Sequence, residues 1–218
     1  MKRLQITSLL LALTGILAAC GGGGGSLSSD ATLSSFGTVV GGQIDATLTD
    51  EENNSVSDPD VGLVAYVTGL DVDEGTAVAR SGIAAGRTVG APVTTGTATY
   101  NGTYAVGIID RVNRTSTSIF GLQGQSAGNV ALNADFDAAT LTGTGASVVG
   151  VTTDIIVDGT ISGQALTGNV TLNHDLGGTA VPSTLNTSLT GSIGATGVIG
   201  AFQGNDFNTV AAGGFVAE

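Results

Sequence analysis

The chain has 218 residues, of which 36 are Gly, and only 11% of its side chains are charged and 4% aromatic. Glycine at that density, costing roughly 1 kcal/mol at each helix-interior position, excludes a helical bundle. Three Pro without a G-X-Y period exclude collagen, 41% hydrophobic residues exclude wholesale disorder, and a single Cys excludes an internal disulfide or a four-cysteine zinc site.

Chain order begins with an address. Met1-Lys2-Arg3 is basic, and Ile6 to Ala19 is almost wholly apolar. About 14 residues at 1.5 Å rise span roughly 21 Å, short of a 30 Å hydrocarbon core, so residues 1–19 read as an export signal. The segment ends Leu17-Ala18-Ala19-Cys20. That resembles the bacterial lipobox, and the resemblance implies that Cys20 is acylated and becomes the first residue of the mature protein. Two or more acyl chains anchor stably in a bilayer. Gly21 to Gly25 and the Ser-rich stretch behind them make residues 20–36 a lipidated tether. Gly21 is not the Asp that resembles an inner-membrane retention signal, which implies the outer membrane, with the face left open.

The mature chain loses Lys2 and Arg3 and keeps four Arg against 18 carboxylates, a net of −14, with no cation after Arg114. Phosphate backbones and anionic headgroups need basic contacts, so nucleic acid is excluded as a partner and headgroup adhesion is disfavoured.

Residues 37–91 read as a small acidic segment. Gly37 to Leu48 and Val61 to Gly69 suit strands, with an acidic loop across residues 50–60 between them. A second acidic cluster holds Asp71, Asp73 and Glu74, and Thr76 to Ala85 suits a short helical turn. Both acidic clusters offer oxygen ligands for Ca²⁺, but neither has the spacing of an EF-hand loop, and solvated loops are the reading.

From about Gly96 the pattern becomes short alternating runs. Tyr100, Gly102, Tyr104, Val106 and Ile108 share one face. Val130 to Phe136, Thr140 to Val149, Ile155 to Ile161, Val170 to Leu176, Leu185 to Ile193, Val198 to Phe202 and Val210 to Ala217 follow, with turns at Asp137-Ala138-Ala139 and Thr167-Gly168. Period 2 means one buried and one wet face. Eight such strands predict an all-β fold, an eight-stranded antiparallel up-and-down barrel over residues 92–218, with an interior filled by side chains or holding one small ligand. A membrane-spanning barrel is the rival, and the lack of Trp with only three Tyr denies it the aromatic girdles it needs.

Gly96-Thr97-Ala98-Thr99-Tyr100-Asn101-Gly102-Thr103-Tyr104 is similar to the opening strand of the transferrin-binding protein B type β-barrel. Gly200-Ala201-Phe202-Gln203-Gly204 and Ala212-Gly213-Gly214-Phe215 resemble its closing hairpin, with Gln203 standing where that family has Tyr. The resemblance implies an outer-membrane surface lipoprotein that binds, without catalysis, a host protein, haem or a small ligand. A structural envelope lipoprotein with no ligand is the alternative.

Two sets of residues invite chemistry. Gly124-Gln125-Ser126-Ala127-Gly128 matches G-x-S-x-G, with Asp154 or Asp158 and then His174 in the chain order of α/β-hydrolases. This composition yields about 0.45 such matches by chance, and the nucleophile elbow needs a helix where Asn129 to Phe136 alternates as a strand. No catalytic residue is therefore expected. His174, the only histidine, shares a face with Val170, Leu172 and Leu176 and is expected inside the barrel. There it is a buried core histidine or, with Tyr100 or Tyr104, a ligand to haem or a metal. No resident cofactor is expected.

Overall fold

The computed structural model describes residues 31–33, 36–44, 50–71, 76–86, 88–114, 119–176 and 183–218. The expected export signal, Cys20 and the expected tether at Gly21–Gly25 lie outside the described residues.

The described chain is all-β. Its N-terminal part holds β1 (Ala31–Leu33), β2 (Val39–Val40), β3 (Gln43–Ile44), β4 (Asp50–Asp58), β5 (Gly62–Asp71) and β6 (Thr76–Ile83). β1, β6, β5 and β4 form a sheet in that order, and β2 pairs with β3 as a separate hairpin. Three expectations are corrected here. The predicted acidic loop is strand β4, paired residue for residue with β5 from Asp50↔Leu70 to Asp58↔Gly62. The predicted helical turn is strand β6, lying between β1 and β5. The predicted strand from Gly37 contains a tight turn at Gly41-Gly42, both at positive φ, which sets β2 against β3.

The remaining strands are β7 (Thr97–Arg114), β8 (Ile119–Asp135), β9 (Thr140–Gly150), β10 (Thr152–Ser162), β11 (Ala165–Asp175), β12 (Ser183–Gly194), β13 (Gly197–Asn205) and β14 (Val210–Ala217). Each pairs antiparallel with its sequence neighbours, and β14 returns to β7 from Val210↔Ile109 to Ala217↔Gly102. The result is a closed barrel. The turn expected at Thr167-Gly168 falls at Gly163-Gln164 instead, and Thr167 and Gly168 are paired inside β11.

The barrel interior is filled by the inward face of every strand, including Tyr100, Tyr104, Leu132, Leu141, Ile155, Leu172, Leu185, Phe202 and Phe215. The outward face differs around the ring. On β10 the outward residues Thr152, Asp154, Ile156, Asp158, Thr160 and Ser162 are exposed. Neighbouring strands continue the polar surface in register, Thr140, Thr160, Thr167 and Thr190 standing in one row across four strands. Thr171 donates to Asn186 at 2.8 Å and Thr184 to Asn173 at 3.0 Å along this surface. A lipid-facing barrel needs an outward apolar band, so this face suits water rather than hydrocarbon.

On β13, on β14 and on β7 from Tyr104 to Asp110, both faces are buried. Outward Ile199, Ala201, Val210, Ala212, Val216, Ala105 and Ile109 pack with Val64, Tyr66 and Ala79 of the four-stranded sheet in one core. Gly214 makes the close approach possible, since a Cβ there would lie 2.3 Å from Val64. Ser81 ties the layers. Its N–H donates to Gln203 Oε1 at 2.8 Å and its hydroxyl to the Phe202 carbonyl at 3.0 Å. On the sheet's far side Ala65 and Val67 pack with Ile44 and Val39 of the hairpin.

Candidate functional site

One level of the barrel interior is polar. It lies toward the upper end, where β7, β9, β11 and β13 finish. Four strands carry a polar residue one period-2 step beyond their apolar inward run: Asp110 after Ile108, Ser126 before Gly128 and Val130, Thr153 before Ile155, and His174 after Leu172. All four are buried, and the register brings them to similar heights. Thr153 is the direct cross-strand partner of His174, a placement that sets their Cβ atoms about 5 Å apart.

A bulge between Asp110 and Asn113 aims the Asp110 carboxylate inward. Arg111, at φ 55°, absorbs the backbone irregularity. Asp110 Oδ1 accepts from the Arg111 N–H at 2.8 Å and from the Thr209 hydroxyl at 2.9 Å. Its Oδ2 lies 3.7 Å from Arg111 Nε and 4.0 Å from His174 Nε2.

Tyr104 forms the floor. Its ring lies against Gly128 and Gly145, where added Cβ atoms would each stand 2.9 Å from it. Its hydroxyl donates to the Thr153 carbonyl. Burial raises the phenol pKa above its ordinary 10.0. Ser126 lies beside this phenol, whose proton is already given to Thr153, and the Ser126 Oγ has no hydrogen-bond partner. Leu176 and Val151 form the roof, both within 3.0 Å of the position of a Cβ on inward-facing Gly124.

Between floor and roof, Ser126 Oγ, Thr153 Oγ1 and both ring nitrogens of His174 are buried without a hydrogen-bond partner. His174 is 1% exposed. Burial lowers its pKa below 6.5, against the opposing pull of Asp110, Asp206 and Asp175, so the ring is neutral at pH 7. An unpaired buried polar group costs roughly 1–3 kcal/mol, which makes four in one layer a feature demanding an occupant.

The structure joins some of the expected residues and separates others. His174 points inward and shares the polar layer with Tyr104. Tyr100 also points inward, but it lies four residues down β7, about 13 Å away along the strand, and donates to the Gly194 carbonyl at 2.7 Å. Ser126 sits inside β8 with no helix behind it, and Asp154 and Asp158 are exposed on the outer face of β10, so the hydrolase arrangement is not assembled. Among the acidic residues, Asp58, Asp60 and Glu218 bring carboxylate oxygens within 4.8 Å of one another. Asp58 Oδ1 there accepts from the Asp60 and Val61 N–H groups, closing the β4–β5 turn.

The sequence reading missed Asp110 and Thr153. Extending each alternating run by one step on the same face finds both.

The upper end also carries apolar surface. Val148, Val149 and Phe207 are exposed by 69%, 68% and 61%, and Leu122 by 39%. The opposite end holds an open cleft of about 470 Å³ lined by Gly86, Thr88, Val89, Gly90, Gln164 and Ser192, none of them titratable.

No family model matches the chain, and no curated protein matches it. Solved structures of transferrin-binding protein B are similar to it in fold. Intact Ap-TbpB, with its N and C lobes, is 17% identical with a TM-score of 0.42, over 80% of this chain and 39% of that one. A point mutant of the vaccine antigen from Haemophilus parasuis Hp5 is 13% identical with a TM-score of 0.43, over 83% of this chain and 39% of that one. A double mutant of the same antigen is 13% identical with a TM-score of 0.40, over 79% and 37%. The match therefore spans about two fifths of each of these proteins.

Proposed function

We propose that the protein is a lipid-anchored component of the outer membrane, acylated at Cys20, that binds a host protein through the upper end of its barrel and performs no catalysis. The observation that carries this reading is the exposure of Leu122, Val148, Val149 and Phe207 at one end of a barrel whose free wall is mostly Thr, Asn, Ser and Asp, with Ile156 its one large exposed apolar residue on β10. Exposed apolar surface rimmed by polar residues marks interaction sites. The stretch from Gly21 to Asp30 ahead of β1 is rich in Gly and Ser, a composition that suits a tether between an anchor and the barrel.

Haem falls outside this reading. The Tyr100 and Tyr104 hydroxyls donate to carbonyls, and His174 is buried, which supports a reading without haem.

The test has two arms. Protease shaving of whole cells, read with an antibody, is expected to remove the barrel; full protection would place the protein on the inner face and defeat the host-protein reading. Immobilised full chain is expected to retain a serum protein that the Val148→Asp, Val149→Asp double variant retains at least tenfold less. Equal retention by both chains, or none by either, favours a structural envelope role.

A further inference from the structure

We propose that the polar layer inside the barrel is a site for one divalent transition metal ion of the zinc class, with His174 Nε2 and Asp110 Oδ2 as its protein ligands and water completing the coordination. The site is separate from the apolar rim, and neither reading depends on the other.

Size argues first. Tyr104 donates to the Thr153 carbonyl at the base of the layer, and the layer's four residues are nearly inaccessible. Burial of this degree suits an occupant no larger than one ion with its waters. Spacing argues second. Zinc bonds to imidazole nitrogen and carboxylate oxygen are both about 2.1 Å. His174 Nε2 and Asp110 Oδ2 stand 4.0 Å apart, so an ion fits between them, and a small closing movement brings the pair toward tetrahedral spacing.

Donor chemistry argues third. A neutral imidazole with one carboxylate suits zinc, nickel or copper better than the all-oxygen shell preferred by calcium. Asp110, Asp175 and Asp206 all act on His174 electrostatically; Arg111, its Nε 3.7 Å from Asp110 Oδ2, stands against the first, and a cation between Asp110 and His174 relieves the rest. The remaining orphans also gain partners. Ser126 Oγ and Thr153 Oγ1 hold metal-bound waters, and His174 Nδ1 donates its proton to another. Asp110 is already held by the Thr209 hydroxyl and the Arg111 N–H, the outer support that orients a ligating carboxylate.

Zn²⁺ and Co²⁺ are the probes, and the full chain carrying Cys20→Ser, which removes its single thiol, is the protein. One equivalent of Co²⁺ is expected to give a visible d–d absorption, displaced by Zn²⁺. His174→Gln and Asp110→Asn are each expected to weaken binding at least tenfold, with near-ultraviolet circular dichroism confirming that the barrel persists. An Asp58→Asn, Asp60→Asn variant, which disables the exposed carboxylate cluster, is expected to keep the full spectrum. No bound ion, or binding lost in that double variant and retained in His174→Gln, would overturn the assignment and leave the layer to internal water. Serum retention in the rim experiment is unaffected by either outcome.

Discussion

At the scale of single residues, the glycines of the barrel make seats for rings. Phe215 lies over its cross-strand partner Gly200, where a Cβ would come within 2.3 Å of the ring. Phe202 lies over its partner Gly213, where a Cβ would stand 2.8 Å from the ring. Aromatic side chains that cover a glycine on the neighbouring strand restore the contact the glycine lacks. Gly200→Ala and Gly213→Ala are expected to destabilise by roughly 1–3 kcal/mol each, the usual cost of overpacking, read as lower urea midpoints at unchanged m-value. The sequence showed glycine alternating with apolar residues, which reads as room for tight bends; that two of them face phenylalanines depends on register, which a single strand does not carry. His174 was legible as inward-facing from Val170, Leu172 and Leu176 alone. Its neighbour Asp110 lies across the ring, and only the alignment of β11 with β7 through closure places the two together.

At the scale of elements, the barrel strands were legible because one face is apolar and the other wet, a pattern that survives from β8 to β12. The N-terminal strands broke the rule for identifiable reasons. β4 reads Asp-Glu-Glu-Asn-Asn-Ser-Val-Ser-Asp, a poor strand by propensity. It is a strand because β5, buried on both faces, offers a free edge whose backbone groups need partners. β6 is rich in small residues that suit a helix, yet Ala77 and Ala79 are small because they face the barrel wall. The bond from the Ser81 N–H to Gln203 fixes this strand to β13. Gln203→Ala leaves that buried donor without its acceptor, and a loss of roughly 1–3 kcal/mol is expected. Hydrogen exchange is the measurement that checks it, with the Ser81 amide expected to exchange faster while the β9–β12 amides keep their protection.

At the scale of the whole molecule, closure leaves the barrel without an edge, while the four-stranded sheet ends in β4. Edge strands invite pairing with other chains, and charge is a common defence. The sequence of β4 carries four carboxylates in nine residues. A chain with all four replaced by their amides is expected to associate more readily as its concentration rises at neutral pH, observed by size exclusion with light scattering; an unchanged molar mass at every concentration would show that charge is not the defence. The docking of sheet on barrel left one trace in the sequence. Val198 to Phe202 and Val210 to Ala217 contain no polar residue, and such runs mark strands covered on both sides. What covers them was not legible, because the contact joins Val64 and Tyr66 to residues more than 100 positions away.

The pairing of β14 with β7 also dictates an order of events. Gly102 waits for Ala217, and Ile109 for Val210, so the ring has no means of sealing until β14 has emerged. Contacts this distant along the chain form slowly. Until they form, both open margins of the curled sheet remain available to wrong partners, and the small N-terminal sheet lacks most of the surface it rests on. A nascent chain arrested before Val210 would thus be a half-made vessel, adhesive along its seam until the last barrel strand arrives.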